Sequence, residues 1–209
     1  MTIEALPVDE TFARPADHEA INRAAKGLAE RNYTTHVVDT VADARALVRD
    51  LLPRDKAIFT ANSHTLRDSG LQADIDDGDE FISVRARLAG VDPADIRAQI
   101  TIGATPDVIL GSVHAITEDG FLVAASASGS QLGPYSAGAE KVIFVVGGQK
   151  VVPDLDTALH RVRVHSLPLV QNVLRAQGLD SFIGKTLIME REFADGRATV
   201  VLTREAIGF

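Results

Sequence analysis

The sequence predicts an α/β layered fold with antiparallel additions at one end. Three observations carry this. Short strand-like runs alternate with amphipathic helical stretches along most of the 209 residues, the pattern of helices stacked on a sheet. Lys141–Val146 is apolar at every position after its lysine, as befits a strand covered on both faces of a parallel sheet. The tail differs in kind. Thr186–Phe193 and Arg197–Thr203 flank Ala194-Asp195-Gly196, which reads as a C-terminal β-hairpin.

Taken in order, residues 1–16 hold Pro7 and Pro15 and show no period, so they are expected to form an N-terminal arm before a single domain, 17–209. Asp17–Asn32 is predicted helical because Ile21, Ala24, Ala25 and Leu28 fall on one face. Tyr33–Val38 is a short run of β-formers. Thr40 caps a second helix to Leu52, with Val41, Ala44, Leu47, Val48 and Leu51 on its stripe and Pro53 closing it. Lys56–Thr60 is a strand that runs into the polar turn Ala61–Thr65 and a short helix ending at Gly70. Residues 71–80 are acidic and expected to be exposed, and Phe81–Val84 is expected to be extended. Asp92, with Pro93 in first position, opens a helix to Gly103. Asp107–Leu110 and Phe121–Ala125 read as strands around the turn Glu118-Asp119-Gly120. Asp154 or Asp156 starts a helix to Val164, and Pro168–Gln177 forms another, stopped by Gly178.

Composition narrows the function. The chain has no cysteine, which removes disulfides, thiol catalysis and iron–sulfur ligation by its own side chains. Its net charge of −8 argues against a nucleic-acid surface. A small anionic ligand stays open, because local donors bind anions inside acidic proteins. No run reaches the roughly 18 apolar residues of a membrane span, and no basic segment followed by an apolar one opens the chain. The expected location is the cytoplasm, with no membrane partner.

Two polar turns stand out. Asn62, Ser63 and Thr65 follow a strand and open a helix, where ligands of parallel sheets sit. Three donors exceed what one helix cap needs, so a small-molecule cradle is the favoured reading over plain capping. The Ser126–Ser136 loop offers Ser126, Ser128, Gly129 and Ser130 to a phosphate or carboxylate. It suits a flexible surface lid equally well, and it lacks both nucleotide-loop fingerprints, so no cofactor is expected. Gly147 and Gly148 follow the apolar strand and permit close backbone approach. His64 reads better as an exposed turn residue than as an acid/base group. His114 and Glu118 are four apart, but no third ligand lies at useful spacing, so no metal is expected. Lys141 reads as a solvated strand-edge lysine. Glu118 is the candidate proton-transfer carboxylate, against the plainer turn reading of this segment.

These residues also carry a resemblance. Ser63-His64-Thr65-Leu66-Arg67-Asp68-Ser69-Gly70-Leu71 resembles the S-x-T-L-x-x-x-G-L segment of the lactate-utilisation (LUD) domain family. Ala115-Ile116-Thr117-Glu118-Asp119-Gly120-Phe121-Leu122-Val123 is similar to its A-I-T-E-D-G-x-L-V block, and Lys141–Gly147 to its K-V-I-x-V-V-G. Val151–Leu155 resembles the following helix entry, and Thr199–Phe209 the terminal strand with its glycine and aromatic. The resemblance implies a three-layer α/β/α domain with a mostly parallel sheet, of the sugar-isomerase/CoA-transferase type. It also implies a tie to oxidation of L-lactate beside an iron–sulfur partner protein. Two departures follow. His114 stands where many relatives have asparagine, and the cysteine-rich insert of many single-domain relatives is absent from His165–Lys185.

The favoured function is binding of a small anionic metabolite in organic-acid utilisation. Its cradle is Asn62, Ser63 and Thr65 facing Thr117, Glu118 and Gly120 and the Ser126–Ser130 loop. The alternatives are a stand-alone isomerase, transferase or hydrolase for a sugar phosphate or acyl-CoA, and a non-catalytic scaffold subunit. An exposed hairpin edge is open to pairing with a second copy, which leaves a homo-oligomer as an option.

Overall fold

The computed structural model describes residues 5–92 and 94–209. Ten strands and eight α-helices are arranged in layers among the described residues. The larger sheet is all parallel, in the order β1 (Thr34–Val38), β10 (Ala198–Thr203), β7 (Lys141–Gly147), β4 (Val108–Gly111), β2 (Ala57–Thr60), β3 (Ile82–Ser83). Alternation along its strands sorts the core into two faces. Ile58, Val108, Leu110, Ile143, Val145 and Val201 meet Ala44 and Val48 of α2 (Val41–Leu51), Leu66 of α3 (His64–Asp68), and Leu71 and Ile75 of α4 (Leu71–Asp76). Phe59, Ile109, Val142, Phe144, Val200 and Leu202 point the other way. They pack with Ile21, Ala24 and Leu28 of α1 (His18–Glu30) and with a second sheet.

That second sheet has four strands, β8 (Val151–Val152), β5 (Ala115–Thr117), β6 (Leu122–Ser126) and β9 (Lys185–Met189). Its far face packs Ala115, Val123, Ala125 and Val152 against Ala158 of α7 (Leu155–Arg161) and against Val162. The chain then passes through one π-helical turn, Val162–Ser166, into α8 (Leu167–Arg175). The fold is therefore the mixed α/β class the sequence predicts, with a mostly parallel six-strand sheet flanked by helices.

The C-terminal hairpin does not form. β9 runs antiparallel to β6 at the edge of the small sheet, while β10 lies inside the large sheet between β1 and β7. Burial explains the separation. β10 is almost wholly buried and needs cover on both faces, whereas β9 is half exposed and suits an edge. Asp195-Gly196 still makes a turn, with Gly196 in the left-handed region, but it joins two sheets.

Three smaller expectations also shift. Residues 71–76 are a helix whose Leu71 and Ile75 are buried one turn apart. Only its acidic positions gave the impression of an exposed segment, and even Asp74 pairs with Arg45 and Arg49. The helix read from Asp92 starts later. Asp92 accepts from the Ala94 N–H in a local turn, and Asp95 caps α6 (Ile96–Ala104) by accepting from the Ala98 N–H. Pro93, expected at that helix's first position, lies outside the described residues. Within the expected arm, residues 5–16 are tied down: Asn172 exchanges hydrogen bonds with the Leu6 backbone, and Phe12 packs on the third core cluster. α5 (Val84–Leu88) completes the helices.

A cavity over the strand ends

Strands β7, β4 and β2 are neighbours in the parallel sheet, so their carboxyl ends open on one edge. Each continues into a polar segment there. β2 leads to Asn62–Thr65, β4 to Ser112–His114, and β7 to Gly148-Gln149-Lys150. The loop after β6 adds Ser126, Ser128, Ser130 and Gln131 from the side. Val162, Leu167, Val170, Leu174 and Phe182 close the opposite wall with apolar side chains. The result is a cavity of about 300 Å³, polar on one side and apolar on the other.

Lys150 is the centre of this cavity. It is 2 % exposed, and its Nζ donates to Thr65 Oγ1 at 2.9 Å and to Ser112 Oγ at 3.1 Å. Burial pushes its amine well below the ordinary lysine value, and the charge of nearby Arg161 pushes the same way. Asp68 pulls weakly in the other direction, yet no ion pair to Lys150 exists among the described residues. Aspartate and glutamate are also absent from the described residues lining the cavity. In a chain of net charge −8, this is a marked local inversion.

Arg161 forms the support behind it. The side chain is fully buried and carries no carboxylate partner among the described residues. Its guanidinium donates to the carbonyls of His114 at 2.6 Å and Gln149 at 3.3 Å, and to Ser166 Oγ at 2.9 Å. It thereby clamps the chain after β4, the turn before Lys150 and the π-helical turn together. Burial lowers its pKa to about 10. His114 is half-buried, and its Nδ1 accepts the Ala125 N–H at 3.1 Å. Burial first, then Lys150 and Arg161, hold its pKa down to about 3, so it is neutral. His64 is half-buried and stacks on Phe209 with ring centroids 4.0 Å apart. Its pKa is lowered by burial first, and then by the charge of Arg67.

The predicted cradle divides in two. Asn62, Ser63, Thr65, Ser126, Ser128 and Ser130 meet around the cavity, which joins the two sequence-distant turns in one place. Gly129 sits in the same loop, left-handed at φ 88°, against the Lys185 side chain. Thr117, Glu118 and Gly120 lie elsewhere. Thr117 is buried and accepts the Phe121 N–H, tying its own turn. Glu118 pairs with Arg23 in a surface groove beside α1. Gly120 packs against Gly27 so closely that a Cβ on either would strike the other's backbone. This segment leaves its strand at the end away from the cavity, and its small residues serve helix–turn packing. Gly147 and Gly148 likewise admit Gln149 and the backbone of residues 203–207 rather than a ligand. His64 faces the cavity, not open solvent. Sequence reasoning missed Lys150, Ser112 and Arg161. For the first two a signal existed: each follows a parallel strand's carboxyl end, whereas Lys141 begins one.

Glu118→Gln is accordingly expected to cost under about 1 kcal/mol, since its ion pair is partly exposed. It is also expected to leave any ligand-induced rise in melting temperature unchanged. Loss of that rise would return Glu118 to the site.

The fold is of the three-layer α/β class, with a lysine-centred cavity at its parallel strand ends that no acidic side chain lines among the described residues. Within that class the chain belongs to the LUD domain family, whose model matches residues 21–195. Among solved structures it is similar to a DUF162 family protein from Deinococcus radiodurans. The TM-score is 0.51 at 10% identity, covering 90% of this chain and 99% of that one, and this likeness speaks for the fold. Among curated proteins none matches. No helix of the described residues is long and apolar enough to cross a membrane.

Proposed function

We propose that this LUD domain binds a small organic-acid anion and serves lactate or related organic-acid utilisation. The observation that carries the reading is the charge pattern of the cavity: Lys150 is buried with no acidic partner among the described residues, inside a wall of serine, threonine and asparagine, in an acidic chain. An entering carboxylate accepts from the Lys150 amine and from hydroxyls already in place, and its charge favours protonation of that amine. The cavity lies at the small end of ligand-site volumes, which suits a metabolite of a few carbons. The apolar wall suits a short carbon chain rather than a nucleotide. With no cysteine in the chain, thiolate-bound iron–sulfur centres for the oxidation belong to a partner protein, and this domain contributes the ligand site.

A thermal melt tests this against lactate, pyruvate and the neutral lactamide. An anion at about 100 times its dissociation constant is expected to add about 2.7 kcal/mol of stability, and lactamide is expected to add none. Equal stabilisation by lactamide, or none by either acid, contradicts the reading.

A further inference from the structure

Anion binding uses Lys150 as a charge, but its surroundings are arranged for an amine. An ammonium carries three donors, and burial demands an acceptor for each. Among the described residues Lys150 Nζ has two, Thr65 Oγ1 at 2.9 Å and Ser112 Oγ at 3.1 Å. These two contacts match the two N–H donors of a neutral amine, and the same residue lines the cavity. The lysine stem is held by burial on all sides, so the nitrogen has little freedom to swing away. The depressed basicity noted above agrees with that geometry. A neutral amine at the floor of an anion-seeking cavity selects for a second feature in the ligand, an electrophilic carbonyl next to the acid group.

We propose that Lys150 Nζ forms an imine with the carbonyl carbon of a small 2-oxo acid, a step that rests on the organic-anion reading above. The nitrogen lone pair bonds to the carbonyl carbon as the C=O π bond opens. Both amine protons end on the departing oxygen, which leaves as water, and the C=N bond remains. No oxidant or reductant is consumed. Thr65 and Ser112 accept from Nζ and lie 3.3 Å from each other, so they hold the nitrogen and provide a hydroxyl path for its protons. Protonation of the imine by solvent gives an iminium, whose charge is met by the bound substrate's own carboxylate. That internal pairing removes the cost of a lone cation in this buried place. The iminium is an electron sink, so the reaction class it opens is loss of a proton or carboxylate from the adjacent carbons.

The test is reductive trapping. The full chain is incubated with millimolar pyruvate and cyanoborohydride at neutral pH, then weighed intact and mapped by peptide. The expected result is one adduct, heavier by pyruvic acid less one oxygen atom, on the peptide carrying Lys150. It is expected to vanish in Lys150→Met and to persist in Lys141→Met. An unmodified Lys150, with label absent or spread over the outward-facing Lys26, Lys56, Lys141 and Lys185, overturns the imine. If Lys150→Met fails to fold, the wild-type peptide map decides alone. A pyruvate-induced melting shift without reductant separates the two readings. A shift with no adduct overturns the imine and leaves anion binding standing, whereas neither shift nor adduct removes both.

Discussion

Lys150→Met is expected to abolish stabilisation by lactate and pyruvate while leaving the protein as stable as before, or more so. The two halves of this result have one cause. A buried amine loses hydration that two hydroxyl partners only partly replace. Methionine fills the same space with no polar atom to satisfy. Thr65 keeps the Ile207 carbonyl as an acceptor and Ser112 keeps that of Val113, so neither hydroxyl is orphaned. The expected gain is about 1–3 kcal/mol at neutral pH, and for a chain of this length each kcal/mol is about 2–4 °C in Tm. The pH dependence has a definite sign. Lys150 is less basic folded than unfolded, so between the two values the unfolded chain binds the extra proton and stability rises with pH. The advantage of methionine is therefore largest at neutral and lower pH and fades as pH passes the unfolded lysine value, near ~10.4. Melting curves of both proteins across pH check this. A variant that melts lower at pH 7 and still responds to pyruvate contradicts the role given to Lys150.

Arg161→Met is expected to do the opposite, costing on the order of 3 kcal/mol. Its guanidinium satisfies the His114 and Gln149 carbonyls and Ser166 Oγ, and methionine leaves those buried acceptors without their donor. Relief of burying a charge offsets part of the loss. The large term is geometric, because one planar fork joins three chain segments that otherwise have no common partner. Lysine cannot reproduce the fork, so Arg161→Lys is expected to recover only part of the stability. Hydrogen exchange is expected to quicken first at residues 112–114 and 148–150 and in the π-helical turn. Uniform loss of protection across the large sheet, with those segments unchanged, contradicts a clamp.

The legible parts of this molecule were those written in short-range pattern. The apolar run Val142–Val146 announced a central parallel strand, and Thr40 announced its helix as an N-cap, which the structure completes as a capping box with Asp43. Asn62–Thr65 could be placed at the carboxyl-end edge of the parallel sheet because they follow a buried strand directly. What pattern could not supply was pairing at a distance. β9 and β10 are joined by a turn sequence that fits a hairpin, yet β10 is claimed by β1 and β7, far away in sequence. The Ala115–Gly120 block misled for a related reason. Its composition resembles a ligand turn, but its glycine is spent on contact with Gly27 of a helix that starts nearly a hundred residues earlier. Lys150 was hidden by chemistry rather than topology. A lysine after two glycines reads as solvated until three neighbouring strands are seen to enclose it.

A crystal grown with pyruvate is expected to show density within bonding or hydrogen-bonding reach of Lys150 Nζ, with the carboxylate among the hydroxyls of Thr65, Ser112 and the Ser126–Ser130 loop. Pyruvate seated in the Arg23–Glu118 groove, with the lysine-centred cavity holding only water, would contradict it.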